Sequence, residues 1–388
     1  MADGTAEATD MAVADGTAEA TDMTHEDSTV EAPGPPQPGD GPSERRARVE
    51  MPPPEEDSGP TYYRIGEDYP LEADEAEIHL QCARIKKLEN LETVGPRLKK
   101  LVLIANCIDK MENLETNVNL VHLELYQNLV KKIDNIAHLQ HLTVLDLSFN
   151  KIRSMAYLAG CDFPRLDHLY LSSNKIEEIE GVFHFRTLRL LELGCNRLRG
   201  VPQDLSSLED LEELWLGKNK IVSMALPPLP KLRKCSMQNN RLEVWDAALF
   251  ANAPKLTHLY MGHNNLPDLP DDVAKLTELV EIDLARNAIT LIRPFPQLGK
   301  LEELWLNDNQ VASMDEVSNL RAFPALRTVY LERNPIHGLG NPASEERYKE
   351  AILQAVPDLA QLDALRLNHE IKVITDGSEA NIRGIRKR

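Results

Sequence analysis

An α/β solenoid is the fold this 388-residue sequence predicts, and three observations predict it. The pattern Leu-x-x-Leu-x-Leu-x-x-Asn recurs eleven times, its asparagines standing at 106, 128, 150, 174, 196, 219, 240, 264, 287, 309 and 334, so that copies follow one another every 21 to 25 residues. Within each copy the leucines alternate with period two, as in a short strand with one buried face. Between copies runs a second apolar series, such as Ile133, Ile136, Leu139 and Ile289, Ile292, Phe295, Leu298, which lines the opposite wall of a shared core. Self-similarity at this period is the leucine-rich-repeat pattern. It predicts a leucine-rich-repeat solenoid with a parallel sheet on the concave face, short helical or 3₁₀ returns on the convex face, and a C-terminal cap.

Each unit is one strand and one return, and neither buries its apolar side alone, so stacked neighbours supply the core. The repeated Asn turns the chain off the strand, where its amide can bond backbone groups of its own and adjacent coils; removing it would leave partners unsatisfied at roughly 1 to 3 kcal/mol each. Prolines at 202, 227, 228, 230, 267, 270, 294 and 296 fall inside the returns. A long helix there would lose hydrogen bonds and clash, so short turns are expected.

Along the chain, residues 1–60 are rich in Ala, Asp, Glu, Thr, Gly and Pro, contain the decamer ADGTAEATDM twice, and carry 15 acidic against three basic residues. Such a segment cannot bury enough apolar surface to offset its ordering entropy and reads as an acidic disordered tail. The solenoid is expected over 61–340, opening near Tyr62-Tyr63-Arg64-Ile65-Gly66 with a degenerate coil around Ile78, Leu80, Ile85 and Leu88, in which Ala83 replaces the Asn. Terminal repeats are atypical because they shield the open end of the core. Residues 341–375 read as a cap, with Tyr348, Ile352 and Val356 at helical spacing, Pro357 as the stop, and Leu359 and Leu362 beyond; residues 376–388 read as a basic flexible tail.

Composition excludes several functions. The net charge of −19 argues against nucleic-acid binding, which rests on neutralising phosphates with Lys and Arg. The five cysteines are dispersed and without a Cys-x-x-Cys pair, Cys235 even occupying a leucine position, which points to a reducing compartment. The N-terminus lacks the basic start and apolar run of a signal peptide, and no stretch approaches 18 apolar residues, so an intracellular protein without a membrane span is expected. No metal, nucleotide or nucleophile constellation is present, and no cofactor or enzymatic activity is expected. His122, His168 and His258 stand singly at outward strand positions.

The informative column is the residue between the two strand leucines, four before each Asn: Val102, Glu124, Asp146, Tyr170, Glu192, Trp215, Ser236, Tyr260, Asp283, Trp305 and Tyr330. In a solenoid these side chains form one ladder on the concave face at a repeat of roughly 4.8 Å. Five are aromatic, four acidic and none basic, and Glu213, Glu281 and Glu303 flank them. Strands favour aromatics in general, but outward-facing Trp and Tyr on one surface are the anchors that dominate interfaces. Eleven strands span about 50 Å, the diameter of a folded protein rather than of a small ligand, and an acidic, aromatic trough suits a partner presenting basic and apolar residues.

Several strings now name a family. Leu142-Thr-Val-Leu-Asp146-Leu-Ser-Phe-Asn150, Leu214-Trp215-Leu-Gly-Lys-Asn219-Lys-Ile221, Ser236-Met-Gln-Asn-Asn-Arg241-Leu242, Trp305 with Asn307-Asp308-Asn309, and Val329-Tyr330-Leu-Glu-Arg-Asn-Pro335 resemble the leucine-rich-repeat regulatory subunit 7 family of protein phosphatase 1, over about residues 61–368. The resemblance implies a non-catalytic subunit, monomeric before complex formation, whose concave face grips the phosphatase catalytic subunit, often alongside phosphatase inhibitor 3, and controls its activity or maturation in nucleus and cytoplasm. It implies partner contacts at Asp146, Tyr170, Glu192, Trp215, Asp283, Glu303, Trp305 and Tyr330. The chain departs from the family at positions 170 and 215, Tyr and Trp where the family has Phe, and in its proline-rich returns, the insertion around Gly338 to Ser344 and the acidic tail. Arg48-Val49-Glu50-Met51 ends in Met, so it is not an Arg/Lys-Val-x-Phe docking peptide, and the solenoid itself is expected to bind. The other reading is a leucine-rich-repeat scaffold of the ciliary-assembly or spliceosomal type.

The composition of residues 1–60 predicts that a chain beginning at Gly59 melts at the same temperature as the full chain and binds the same partner with the same affinity. A lower melting temperature or lost binding would make that segment integral to the fold or the interface.

Overall fold

The computed structural model describes residues 62–338 and 340–367. The acidic segment 1–60, the basic stretch 376–388 and the last part of the expected cap, 368–375, lie outside the described residues. Twelve strands of three residues each follow in chain order: β1 (Glu77–His79), β2 (Lys100–Val102), β3 (His122–Glu124), β4 (Val144–Asp146), β5 (His168–Tyr170), β6 (Leu190–Glu192), β7 (Glu213–Trp215), β8 (Lys234–Ser236), β9 (His258–Tyr260), β10 (Glu281–Asp283), β11 (Glu303–Trp305) and β12 (Thr328–Tyr330). Each pairs in parallel with the next, and β13 (Gln361–Leu362) continues the parallel sheet before β14 (Leu365–Arg366) pairs antiparallel to it. The degenerate first coil thus supplies a full strand, β1, in register with β2, although it lacks the Asn.

The middle residue of every strand from β1 to β12 is buried, and the leucines on either side of the column point into one continuous core running from Ile65 to Leu362. The returns meet that core with Ile133, Ile136, Leu139, Ile289, Ile292 and Leu298, all buried. They are short, as the prolines require. Pro202 and Pro270 sit immediately before the 3₁₀ turns Gln203–Ser207 and Asp271–Lys275, where an extended φ near −75° is needed and no N–H is missed. Only α1 (Ala247–Asn252), capped by the Asp246 side chain accepting from the Ala248 N–H, makes α-helix within the repeats. Cys161 and Cys235 are buried as small apolar groups, and all five thiols are unpaired.

The asparagines stitch coil to coil. Asn196 Nδ2 donates to the Leu171 carbonyl of the previous coil at 2.9 Å and to its own Leu193 carbonyl at 3.1 Å, while its Oδ1 accepts from the Ile176 N–H at 2.9 Å. Asn150, Asn174, Asn219, Asn309 and Asn334 repeat the scheme, and nine of the eleven are buried, Asn240 and Asn264 being partly covered. Geometry at this turn has a cost that the sequence pattern conceals. The residue before every ladder Asn, from Ala105 to Arg333, is a non-glycine in the left-handed region at φ of 53° to 57°, a conformation worth of order 1 kcal/mol of strain per residue. Net hydrogen bonds from the following Asn offset it.

The cap closes the sheet's far end. Asn334 leads into a 3₁₀ turn at Pro335–His337, Gly338 takes φ 67°, and Asn341 caps the helix α2 (Pro342–Ala355) by accepting from the Ser344 N–H. Tyr348 and Ile352 face the core, and Pro357 follows the helix end as its spacing predicts. The Tyr348 hydroxyl donates to Asp363 Oδ2 at 2.8 Å, and Asp363 Oδ1 accepts from the Leu331 and Glu332 N–H groups, so an Asp performs in the cap the service that Asn performs in the coils.

Asn196→Ala removes bonds to two coils at once, and is expected to destabilise the solenoid by about 3 kcal/mol or more. The check is the urea unfolding midpoint; an unchanged midpoint would mean the amide contributes nothing net.

Candidate functional site

The strand register sets the column as one row. Glu124 pairs with Asp146, Asp146 with Tyr170, Tyr170 with Glu192, Glu192 with Trp215, Trp215 with Ser236, Ser236 with Tyr260, Tyr260 with Asp283, Asp283 with Trp305, and Trp305 with Tyr330. All eight residues expected at the interface are therefore on this surface, seven in the row and Glu303 two residues before Trp305 on the same strand face. Not every member of the column is open. Val102 and Ser236 are buried, at 6 % and 2 % exposure, because their side chains are short and their in-register neighbours are longer.

Burial of Ser236 creates the main aromatic feature. Trp215 and Tyr260, two coils apart, stack across it with ring centroids 5.8 Å apart and planes 20° from parallel. A second pair, Trp305 and Tyr330, meets at 4.4 Å. Each ring assembly is tied to acids: the Trp215 indole N–H donates to Glu213 at 3.0 Å, the Trp305 indole N–H to Glu303 at 3.4 Å, and the Tyr260 hydroxyl to Glu281 at 3.1 Å. Lys234 reaches Glu213 at 3.0 Å and His258 approaches Glu281 at 3.8 Å. The Tyr330 hydroxyl is bonded by the Gln361 side-chain amide of the cap.

Between the aromatic groups stand two carboxylates with altered chemistry. Asp146 accepts from the Ser148 N–H at 2.8 Å and Asp283 from the Ala285 N–H at 2.9 Å. Burial pushes both carboxyls up to about 6, with Glu124 and Glu192 adding to the rise at Asp146; the backbone bonds oppose it. Glu192 and Glu281 are raised by the same desolvation, Glu281 also by Glu303, and Tyr170 is pushed up to about 12. Room for Asp283 comes from Gly262, where a Cβ would stand 2.9 Å from its Oδ2. This surface holds negative charge at a desolvation cost, which a cation placed against it would relieve.

Tyr260, Glu213 and Glu281 belong to this arrangement although the family resemblance does not point to them. Their signal was the outward position in the repeat. Phe149, 47 % exposed and 4.9 Å from the Tyr126 ring, was less legible: it lies one residue before a ladder Asn, outside the column. Among the described residues no group of three His, Cys, Asp or Glu is arranged to hold a metal ion, and no helix is long and apolar enough to cross a membrane.

Comparison with known proteins agrees with the geometry. The leucine rich repeat family model matches residues 119–176 and 230–289. Human cilia- and flagella-associated protein 410 is 30 % identical over 107 residues, 27 % of this chain and 40 % of that protein, and bovine osteomodulin is 28 % identical over 240 residues, 59 % of this chain and 56 % of that protein. The chain thus spans about half the length, or less, of these relatives. Among solved structures, a leucine-rich-repeat protein of Leptospira interrogans superimposes with a TM-score of 0.65 at 24 % identity, over 76 % of this chain and 73 % of that one. An internalin of Listeria monocytogenes does so with a TM-score of 0.63 at 20 % identity, over 80 % and 87 %. The chain carries leucine-rich repeats over residues 119–176 and 230–289 and has the leucine-rich-repeat solenoid fold.

The raised carboxyls predict a pH dependence. Their folded pKa of about 6 lies above the unfolded value, so the folded state binds more protons between about pH 4 and 6 and stability falls as pH rises through that window. Asp283→Asn, which keeps an acceptor for the Ala285 N–H, is expected to stabilise the protein at pH 7 by on the order of 2 kcal/mol and to flatten the decline. Thermal melts of both proteins at pH 4.5 and 7 check this; parallel shifts at the two pH values would refute it.

Proposed function

We propose that this chain is a non-catalytic regulatory subunit that binds the catalytic subunit of protein phosphatase 1 through its concave face and controls that enzyme's activity or maturation. One observation carries the reading: the eight positions to which the family resemblance points lie on one face of the sheet, Asp146 to Trp215 and Asp283 to Tyr330 in a single row with Ser236 and Tyr260 between the two groups, and Glu303 beside it. Aromatic pairs at Trp215–Tyr260 and Trp305–Tyr330 offer rigid apolar area, and Asp146, Asp283 and the flanking glutamates offer charge. A folded partner bearing Lys or Arg beside apolar side chains satisfies both. Assembly with phosphatase inhibitor 3, and action in nucleus and cytoplasm, belong to the same proposal.

A second reading, a scaffold for ciliary assembly, is favoured by the likeness to cilia- and flagella-associated protein 410, which extends over 27 % of the chain. Co-purification from source cells separates the two. Phosphatase catalytic subunit as the major stoichiometric partner supports the first, and axonemal or basal-body proteins without it support the second.

Within the first reading, Trp305→Ala is expected to weaken phosphatase binding about thirtyfold, the effect of truncating a buried interface Trp worth about 2 kcal/mol, and Glu303→Ala to weaken it less. Melting temperature should barely move, because the ring lies outside the core. Calorimetric titration with the catalytic subunit makes the measurement, and full-strength binding by both variants would overturn the concave-anchor assignment.

A further inference from the structure

A second surface of the solenoid carries the opposite charge. The residue directly after the ladder Asn is basic in five consecutive coils, Lys151, Lys175, Arg197, Lys220 and Arg241, whereas in the other six it is Cys, Leu, Asn, Ala, Gln or Pro. These five are locked in register. The backbone N–H of each donates to a carbonyl of the preceding coil: Lys151 to Val130 at 2.8 Å, Lys175 to Ile152 at 2.7 Å, Arg197 to Ile176 at 2.8 Å, Lys220 to Leu198 at 2.8 Å and Arg241 to Ile221 at 2.9 Å. Their backbones therefore repeat at the inter-strand distance, about 4.8 Å, and the row is about 19 Å long. Lys151, Lys220 and Arg241 are exposed and the other two partly so. Among the described residues Arg197 alone of the five has an ion pair, with Glu177 at 3.7 Å. At one end the exposed Phe149 ring, resting on Tyr126, lies two residues before Lys151.

We propose that this lateral ridge docks a short, extended, acidic segment of a partner protein, with an apolar side chain of that segment seated on Phe149. Charge complementarity and dimension select this occupant. An extended strand places same-face side chains about 6.7 Å apart, so six or so residues cover the row and set three or four carboxylates against five cations. A long polyanion such as nucleic acid would also meet the field of a chain with net charge −19, and the acidic concave face, whereas a short segment engages the ridge alone. The concave surface stays free for its own partner.

The experiment uses the full chain and a fluorescein-labelled peptide of about ten residues alternating Glu and Ser, with Leu at one end, followed by anisotropy at low and physiological salt. Binding should weaken with salt. Lys175→Glu with Arg197→Glu should lower affinity about tenfold or more, the sum of exposed ion-pair contributions lost and reversed; Lys220→Glu with Arg241→Glu should do the same. Gln310→Glu, at the same repeat position outside the ridge, and Trp305→Ala, on the concave face, should bind the peptide like the parent. The second of these separates this proposal from the concave reading. Melting curves establish that each double variant is folded, and two pairs at different places on the row guard against one local defect. No binding by the parent chain, indifference to both double substitutions, or equally tight binding of a single-stranded oligonucleotide of the same charge would overturn the proposal.

Discussion

The buried Asn amide is the interaction on which the rest of this structure depends. Three-residue strands are too short to hold a sheet by themselves, and returns whose helical pieces run to nine residues at most have little helical stability of their own. What makes the coils a stack is a side chain whose donor group reaches the previous coil's carbonyl while its acceptor takes an N–H from the start of that same coil's return segment. The same bond fixes the turn geometry, holding the preceding residue at positive φ even when it is Phe149, Lys218 or Arg286. That constraint aims two rows of side chains, one from the strand onto the concave face and one from the position after the Asn onto the edge. Surface chemistry is thereby reduced to a choice of residue at fixed repeat positions.

This is why so much was legible. Leu and Asn at fixed spacing report the coil, the strand and the outward column together, so the row from Glu124 to Tyr330 could be placed residue by residue. The prolines at 202 and 270 marked the short returns for the same local reason. Other features depend on relations that a linear pattern does not carry. The stacking of Trp215 on Tyr260 requires that Ser236 between them be small, a three-coil property. β1 forms without its Asn because pairing with β2 satisfies its backbone. The hairpin after β12 and the use of Asp363 in place of an Asn follow from how the last coil is covered, which no repeat can foretell.

Charge is sorted between the two rows. Carboxylates on the concave sheet are crowded and partly desolvated, most of all Asp146 and Asp283, and the column contains no basic residue to compensate them. Isolated, the protein pays for that arrangement in stability. A partner that brings cations removes the cost at the moment of contact, so binding energy is drawn in part from strain already present in the free solenoid. The basic edge lacks this stored term, being well solvated, and any contact made there is correspondingly weaker and more sensitive to salt.

One detail at the end of the sheet bears on how the molecule behaves in a crowded solution. Thirteen successive strands run the same way, and a stack of identical coils has no intrinsic stopping point: its terminal backbone groups could accept another coil from a second molecule and so on into a fibre. β14 reverses direction and is only two residues long. A neighbour's parallel edge meets the wrong polarity there, with too few groups to nucleate a ladder. The hairpin therefore works as a chain terminator in the polymer sense, keeping a modular architecture discrete where repetition alone would favour open-ended growth.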